Sequence, residues 1–407
     1  CALFSATFTT CMKNNKNLWI LVLIMIINAL GFGIIVPLIY PFTKQFGING
    51  HTLGLLTASY SIAQFIATPI LGSLSDKYGR KPILIICLLG TTISFILFAE
   101  ARSALMLFGA RILDGLTGGN ISVAQAVISD STTPKERTKA FGYLGASFGV
   151  GFILGPLLGG VLSQISLATP FIFSAALSFL GTVLTYFFLK ETNTHIGKPK
   201  LEKRKLFDFS KPFKSLRKPI IGSAILMGFL LAIAQFSMII GFQTFNVDVL
   251  KLSPLKISLF FGAFGVLGVS MQLAGLPFFL KFIKSKSLLL TISLSLSALA
   301  LFISGFTSTF IPFAFFLLLY GMFNALRDPI INSIISENTL PEEQGHVLGI
   351  NQSYASIGQI LGPLIAGVVS FYSINYIFIV SAVFVFIALF VSIKLHSGSL
   401  KGESIPP

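Results

Sequence analysis

A guanidinium and a carboxylate three residues apart, Arg111 and Asp114, stand in the otherwise apolar stretch ARILDGLTGG. On a helix this spacing places both on one face, where each neutralises the other. A carboxylate held in this way is equipped to take up and release a proton, and Asp114 with Arg111 is the candidate site for proton coupling. A second group of charges lies in GSLSDKYGRKP, where Asp76, Lys77, Arg80 and Lys81 share one short turn framed by Gly72 and Gly79. Gly79 permits a tight reversal, and Arg80 is four positions from Asp76, within pairing reach. Asp130, at the end of the run that holds Arg111, offers Arg80 a second carboxylate. Such a cluster can act as a latch if it holds in one conformation and breaks in another.

Uncharged and charged polar residues inside other apolar runs mark a candidate substrate path: Asn28, Gln235, Asn324, Arg327 and Asp328. Asn324 and Arg327 share a helix face, Asp328 is rotated from Arg327 by about 100°, and Pro329 follows as a helix breaker. Asn28 and Gln235 donate and accept hydrogen bonds without titrating.

These residues need a scaffold, and composition says which kind. The 407 residues are 54% hydrophobic and 11% charged, with a mean hydropathy of +0.86, against about 25% charged in soluble domains. Crossing a bilayer core about 30 Å thick takes roughly 20 apolar residues. Twelve runs meet that need: 18–40, 52–74, 82–99, 104–130, 138–163, 168–190, 219–246, 255–280, 286–305, 309–336, 344–371 and 373–394. None alternates as a barrel strand would. The expected fold is an all-α membrane protein of twelve transmembrane helices, arranged as two pseudo-symmetric six-helix bundles.

The net charge of +15 comes from lysines and arginines in the loops between runs, where lipid headgroups rather than nucleic acid are the partner. Twenty-three of the 29 basic residues fall on the side of the termini and four on the other, with Arg111 and Arg327 inside spans. Both termini are therefore expected in the cytoplasm. The opening CALFSATFTT has neither a basic n-region nor a small-residue exit site, so a tail at 1–17 is expected in place of a cleaved leader. Bundles at 18–190 and 219–394 follow, joined by a basic linker at 191–218, with a second tail at 395–407.

The halves repeat. A shift of 207 residues aligns Ile128 with Ile335, Ser129 with Ser336, Pro134 with Pro341, Glu136 with Glu343, Gly155 with Gly362, Pro156 with Pro363 and Gly160 with Gly367. This is a duplicated six-helix unit, and because six is even both copies run the same way through the membrane. The second-half loop PFFLKFIKSKS keeps lysines but has neither Asp nor Gly, so a one-sided latch is expected.

GSLSDKYGRKPIL, ARILDGLTGG and GVGFILGPLLGG resemble three signature motifs of the major facilitator superfamily. The set is similar to its proton-coupled drug antiporters, including tetracycline efflux proteins. The likeness covers residues 12–394, and helix 1, NALGFGIIVPLIYP, shares Gly31, Gly33 and Pro37 with the tetracycline pattern while carrying Asn28 at its usual acidic position. The resemblance implies a contact between Asp76 and the start of the eleventh helix around Gln344 to Val347. It also implies that Gly151, Gly155, Pro156, Gly159 and Gly160 pack the fifth helix against the eighth.

No GxxxxGK[ST] run binds nucleotide, no HExxH or intramembrane Ser, His and Asp set suggests an enzyme, and Cys1, Cys11 and Cys87 form no metal cluster. The expectation is a monomeric carrier of the bacterial inner membrane, with no cofactor or metal and a proton gradient as its energy source. It exports a small amphipathic compound: a drug, a tetracycline-like molecule or a secreted metabolite such as a siderophore. The alternative is a proton-linked importer of a sugar or organic acid.

Overall fold

The computed structural model describes residues 16–193, 219–340 and 343–400, which form helices and short connections with no strand among them. The expected N-terminal tail through residue 15, the linker from 194 to 218 and the end beyond 400 lie outside the described residues.

The first half contains α1 (Lys16–Ile35), α2 (Gly50–Tyr78), α3 (Arg80–Ala99), α4 (Ala104–Thr117), α5 (Asn120–Ser131), α6 (Pro134–Leu162) and α7 (Thr169–Phe188). The second contains α8 (Pro219–Thr244), α9 (Pro254–Ser270), α10 (Leu276–Phe282), α11 (Lys286–Ser304), α12 (Phe310–Asn324), α13 (Arg327–Glu337), α14 (Gln344–Val369) and α15 (Ile374–Leu400). Ten helices among the described residues are long and apolar enough to cross a membrane, and the chain is a multi-pass membrane protein. Of the twelve expected runs, two fall outside that set. The fourth is divided into α4 and α5, and the eleventh, α14, is diluted by Asn351, Gln352 and Gln359.

The division of the fourth run departs from the single helix expected over 104–130. The break falls at Gly118 and Gly119, whose ψ of 13° and 3° lie outside the helical range, and α2 passes close to both. A Cβ on Gly118 would lie 2.9 Å from Gln64 Nε2, and one on Gly119 would lie 2.5 Å from Leu71 Cδ1. The tenth run breaks at Ala325 and Leu326, between α12 and α13, at the same place once 207 residues are added. Helix starts are capped where the sequence changes from loop to span. Thr133 and Glu136 make a reciprocal capping box ahead of α6, and Ser103 and Ser285 accept from Met106 N and Leu288 N ahead of α4 and α11.

The chain separates into two compact units. Among described residues the first comprises 16–47, 59–193 and 254–262, and the second 48–58, 219–253 and 263–400. In the first unit, α1 lies against α6 with almost no side chain between them. A Cβ on Gly155 would sit 2.8 Å from Gly33 Cα, one on Gly33 would strike Gly151 O, and Gly159 faces Ile34. Leu21, Ile24, Met25, Leu84, Cys87, Leu88, Val123 and Val127 fill the space among α1, α3 and α5. In the second unit the equivalent glycines, Gly358 and Gly362, meet Phe229 O and Ile233 O of α8 at 2.9 and 2.8 Å from their added Cβ atoms.

The repeat extends to single bonds. Thr132 donates to Ile128 O as Thr339 does to Ile335 O, and Ser163 to Gly160 O as Ser370 does to Gly367 O. Arg137 reaches Ser129 O where Gln344 reaches Ser336 O. The first unit's Gly160 packs on Leu255 and Ser258 of α9, and the second unit's Gly367 packs on His51 and Gly54 of α2. His51 and Ser258 are themselves 207 residues apart.

Between helices in lipid, close backbone approach supplies the packing. Gly155→Val forces α1 from α6 and should destabilise by about 1–3 kcal/mol, visible as a lower melting temperature in detergent. Gly142→Ala, whose Cβ meets nothing within 4 Å, should leave the melting temperature in place. Equal melting of G155V and parent would exclude the close approach.

Candidate functional site

Arg80 uses its whole guanidinium at the α2–α3 turn. Nη2 is 2.7 Å from Asp76 Oδ1, Nε is 2.9 Å from Asp130 Oδ2, and Nη1 donates to Ser75 Oγ at 2.7 Å. Two elements supply these partners, the end of α2 and the end of α5, while Arg80 itself opens α3. Ser75 passes the contact on by donating to Gly72 O at 2.7 Å. The sequence reading omitted Ser75, whose signal was only its place one residue before Asp76. Gly72 itself has open space around its Cβ position, whereas Gly79 sits at φ +106°, which a side chain rarely adopts. Lys81 stands outside the ionic cluster, with Nζ 5.6 Å from the ring centroid of Tyr186.

The cluster is half open to its surroundings, with Asp76 32% and Asp130 28% exposed. Pairs of this kind contribute about 0–1 kcal/mol each. They are weak enough to part and re-form without a large barrier.

Arg111 and Asp114 on α4 are different. Their side chains are 8% exposed each, with Nη1 3.3 Å from Oδ2. The guanidinium also lies 5.2 Å from the Phe98 ring centroid and 5.6 Å from that of Tyr60. Thr91 hydrogen-bonds Asp114 from α3, and Gln64 donates to Tyr60 Oη at 3.0 Å and to Gly118 O at 3.2 Å. Tyr60, Gln64 and Thr91 thus enclose the pair from α2 and α3. A residue enclosing such a pair is set by which neighbouring helix faces it, which spacing along one helix does not encode.

In the second half, Gln235 Oε1 accepts from Asn324 Nδ2 at 2.7 Å and Tyr320 Oη at 3.0 Å, which joins α8 to α12. Tyr320 was not among the expected path residues. Asn324 ends α12 and Arg327 begins α13, and Arg327 donates to Leu231 O at 2.8 Å, one turn of α8 from Gln235. Both side chains thus reach the same face of α8 across the break. Pro329 lies in the first turn of α13, where its missing N–H costs nothing, so it begins a helix and does not break one. Asp328, 69% exposed, pairs with Arg327 Nε at 3.3 Å. Asn28 is half-buried on α1.

One further expectation changes. The glycine stripe of α6 mostly meets α1, through Gly151, Gly155 and Gly159; Gly160 and Pro156 face α9, at Ser258 and Gly262, together with Phe152 and Ile153 between the glycines. The second half also carries an ion pair near the matching turn. Lys286 at the start of α11 pairs with Glu337 at the end of α13 and donates to Ser333 Oγ at 2.8 Å. Glu337 is the 207-residue copy of Asp130, whereas Ser287 and Ile283 stand at the copies of Arg80 and Asp76.

The sequence profile described as Major Facilitator Superfamily matches residues 21–288 and 279–403. The chain belongs to the Major Facilitator Superfamily. It is 31% identical to Quinolone resistance protein NorA of Staphylococcus aureus (strain MSSA476) over 362 residues, 87% of this chain and 89% of that protein. Multidrug resistance protein 2 of Bacillus subtilis (strain 168) is 29% identical over 90% of this chain and 92% of its own length. Tetracycline resistance protein, class H, of Pasteurella multocida is 43% identical over 182 residues, 44% of this chain and 45% of that protein. Among solved structures, a bacterial homolog to the human lysosomal transporter Spinster superposes with a TM-score of 0.79 at 16% identity, covering 96% of this chain and 98% of that one. That likeness is one of superfamily fold.

Removing one member of a buried pair strands the other's charge at a cost of about 3–5 kcal/mol. Asp114→Ala should therefore lower the melting temperature more than the double variant Arg111→Met/Asp114→Leu, which removes both charges. A double variant no more stable than Asp114→Ala would mean that the two side chains do not depend on each other.

Proposed function

We propose that this superfamily member is a bacterial inner-membrane exporter of a small amphipathic drug-like compound, driven by exchange for protons. The observation that carries the reading is the Arg111–Asp114 pair, enclosed within a membrane-spanning unit. An ionisable residue at that depth costs about 2.5–3.5 kcal/mol on insertion scales. A carboxylate that exchanges a proton gives that cost a purpose which a purely structural helix would not need. The full-length similarity to quinolone and multidrug resistance proteins supports export of drug-like cargo.

In this reading twelve spans form two six-helix bundles, 18–190 and 219–394, with both termini in the cytoplasm. Their relative movement gives alternating access to a path that includes Asn28, Gln235, Asn324 and Arg327. The cargo reaches the path, Asp114 takes a proton from the outer side and gives it up inside, and cargo leaves in the opposite direction. Asp76, Arg80 and Asp130 hold one of the two states, and their modest pair energies suit a latch that opens in every cycle.

Inverted vesicles with an acid interior should take up a fluorescent quinolone or tetracycline through the intact protein. Uptake only in right-side-out vesicles, down an inward proton gradient, would make it an importer of a nutrient instead. Asp114→Asn should abolish the response to the pH gradient while the protein still reaches the membrane; an unaltered response would place the proton site elsewhere. Asp76→Asn should reduce turnover at least tenfold with ligand affinity little changed, and normal turnover would remove the latch.

A further inference from the structure

The Arg80 cluster depends on a residue outside the α2–α3 turn. Glu191 follows α7 by a few residues, and its carboxylate reaches back over the start of α3. Oε1 accepts from Arg80 N at 2.9 Å and Oε2 from Lys81 N at 3.0 Å. The same Oε1 accepts from Thr192 N and Asn193 N, both at 2.9 Å, which folds the segment around its own side chain. These amides open a 20-residue helix and have no partner within it. A carboxylate is the ligand such an end favours.

Two more observations fix Glu191 in this role. The carboxylate lies directly over the turn, 2.5 Å from where a Cβ on Gly79 would stand, and the φ of +106° there is one that favours glycine. On the other side of the turn, Asn193 Nδ2 donates to Asp76 O at 2.8 Å and to Ser75 O at 3.5 Å. Residues 191 and 193 therefore hold the last carbonyls of α2 and the first amides of α3 together. Upstream, Lys190 N donates to Asn17 Oδ1 at 3.1 Å, which ties the segment to the start of α1.

We propose that Glu191 is a positioning residue for the Arg80 latch: by binding the main chain of Arg80 and Lys81, it sets the direction from which the guanidinium meets Asp76 and Asp130. It leaves the guanidinium itself to the other two carboxylates. The proposal rests on the transport reading for its functional half only.

The test has two arms on the full chain in lipid nanodiscs. In hydrogen exchange, Glu191→Ala should raise the exchange rate of the peptide containing Arg80 and Lys81 at least tenfold, with Glu191→Asp intermediate. Asp130→Asn, which spares the main-chain contact, should change it less than twofold, and unchanged helices elsewhere report that the variants are folded. In reconstituted vesicles, Glu191→Gln should lower the maximal rate with KM within twofold. Added to Asp130→Asn it should cause no further loss, because both act on one cluster. Unchanged exchange in Glu191→Ala, or losses that multiply in the double variant, would overturn the proposal. A wild-type protein that moves no drug against protons would instead overturn the transport reading, leaving the exchange result to decide on Glu191.

Discussion

Helices surrounded by lipid gain little from burying apolar side chains on one another, since the lipid is as apolar as they are. They stay together where backbones come near enough for dispersion contacts to accumulate. In this chain that place is the meeting of α1 and α6 at Gly33, Gly151 and Gly155, repeated by α8 and α14 at Gly358 and Gly362. Each is the spine of its half. The remaining helices, the pairs they carry and the turns between them take their positions from it.

Against this apolar frame the charged groups divide by surroundings. Arg80 has two carboxylates and a hydroxyl, yet sits where the partners are about a third exposed, so each contact is small. Arg111 has one carboxylate and little exposure, so loss of its partner is severe. The number of bonds alone would order the two clusters the other way; burial reverses the order. Lys286 and Glu337 resemble the first class, being more exposed still.

Much of this was legible in the chain. The spans follow from run length, the duplication from a constant offset, and the pairs Asp76–Arg80 and Arg111–Asp114 from helix spacing. These are properties of one helix or of one alignment. What the spacing left open was which helix stands opposite. The α6 glycines gave no sign that most of them face α1, nor did Gln235 reveal Tyr320. Glu337 was hidden because its partner lies in a lysine-bearing loop that lacks the first half's motif. The breaks at 118–119 and 325–326 were missed for a different reason. Both sit inside runs whose composition is that of a continuous helix, and the close approach of Gln64 and Leu71 to the two glycines of the first break comes from another element.

The discontinuity between α4 and α5 has a mechanical meaning. Asp114 and Asp130 would ride on a single rod if the fourth run were unbroken, and any tilt at one would appear, scaled by distance, at the other. With Gly118 and Gly119 between them, α4 and α5 are two helices and not one. Displacement is then not handed down a stiff shaft. What passes from one carboxylate to the other must travel through the surrounding neighbours, Gln64 on α2 first among them, so α2 acts as the splint across the joint.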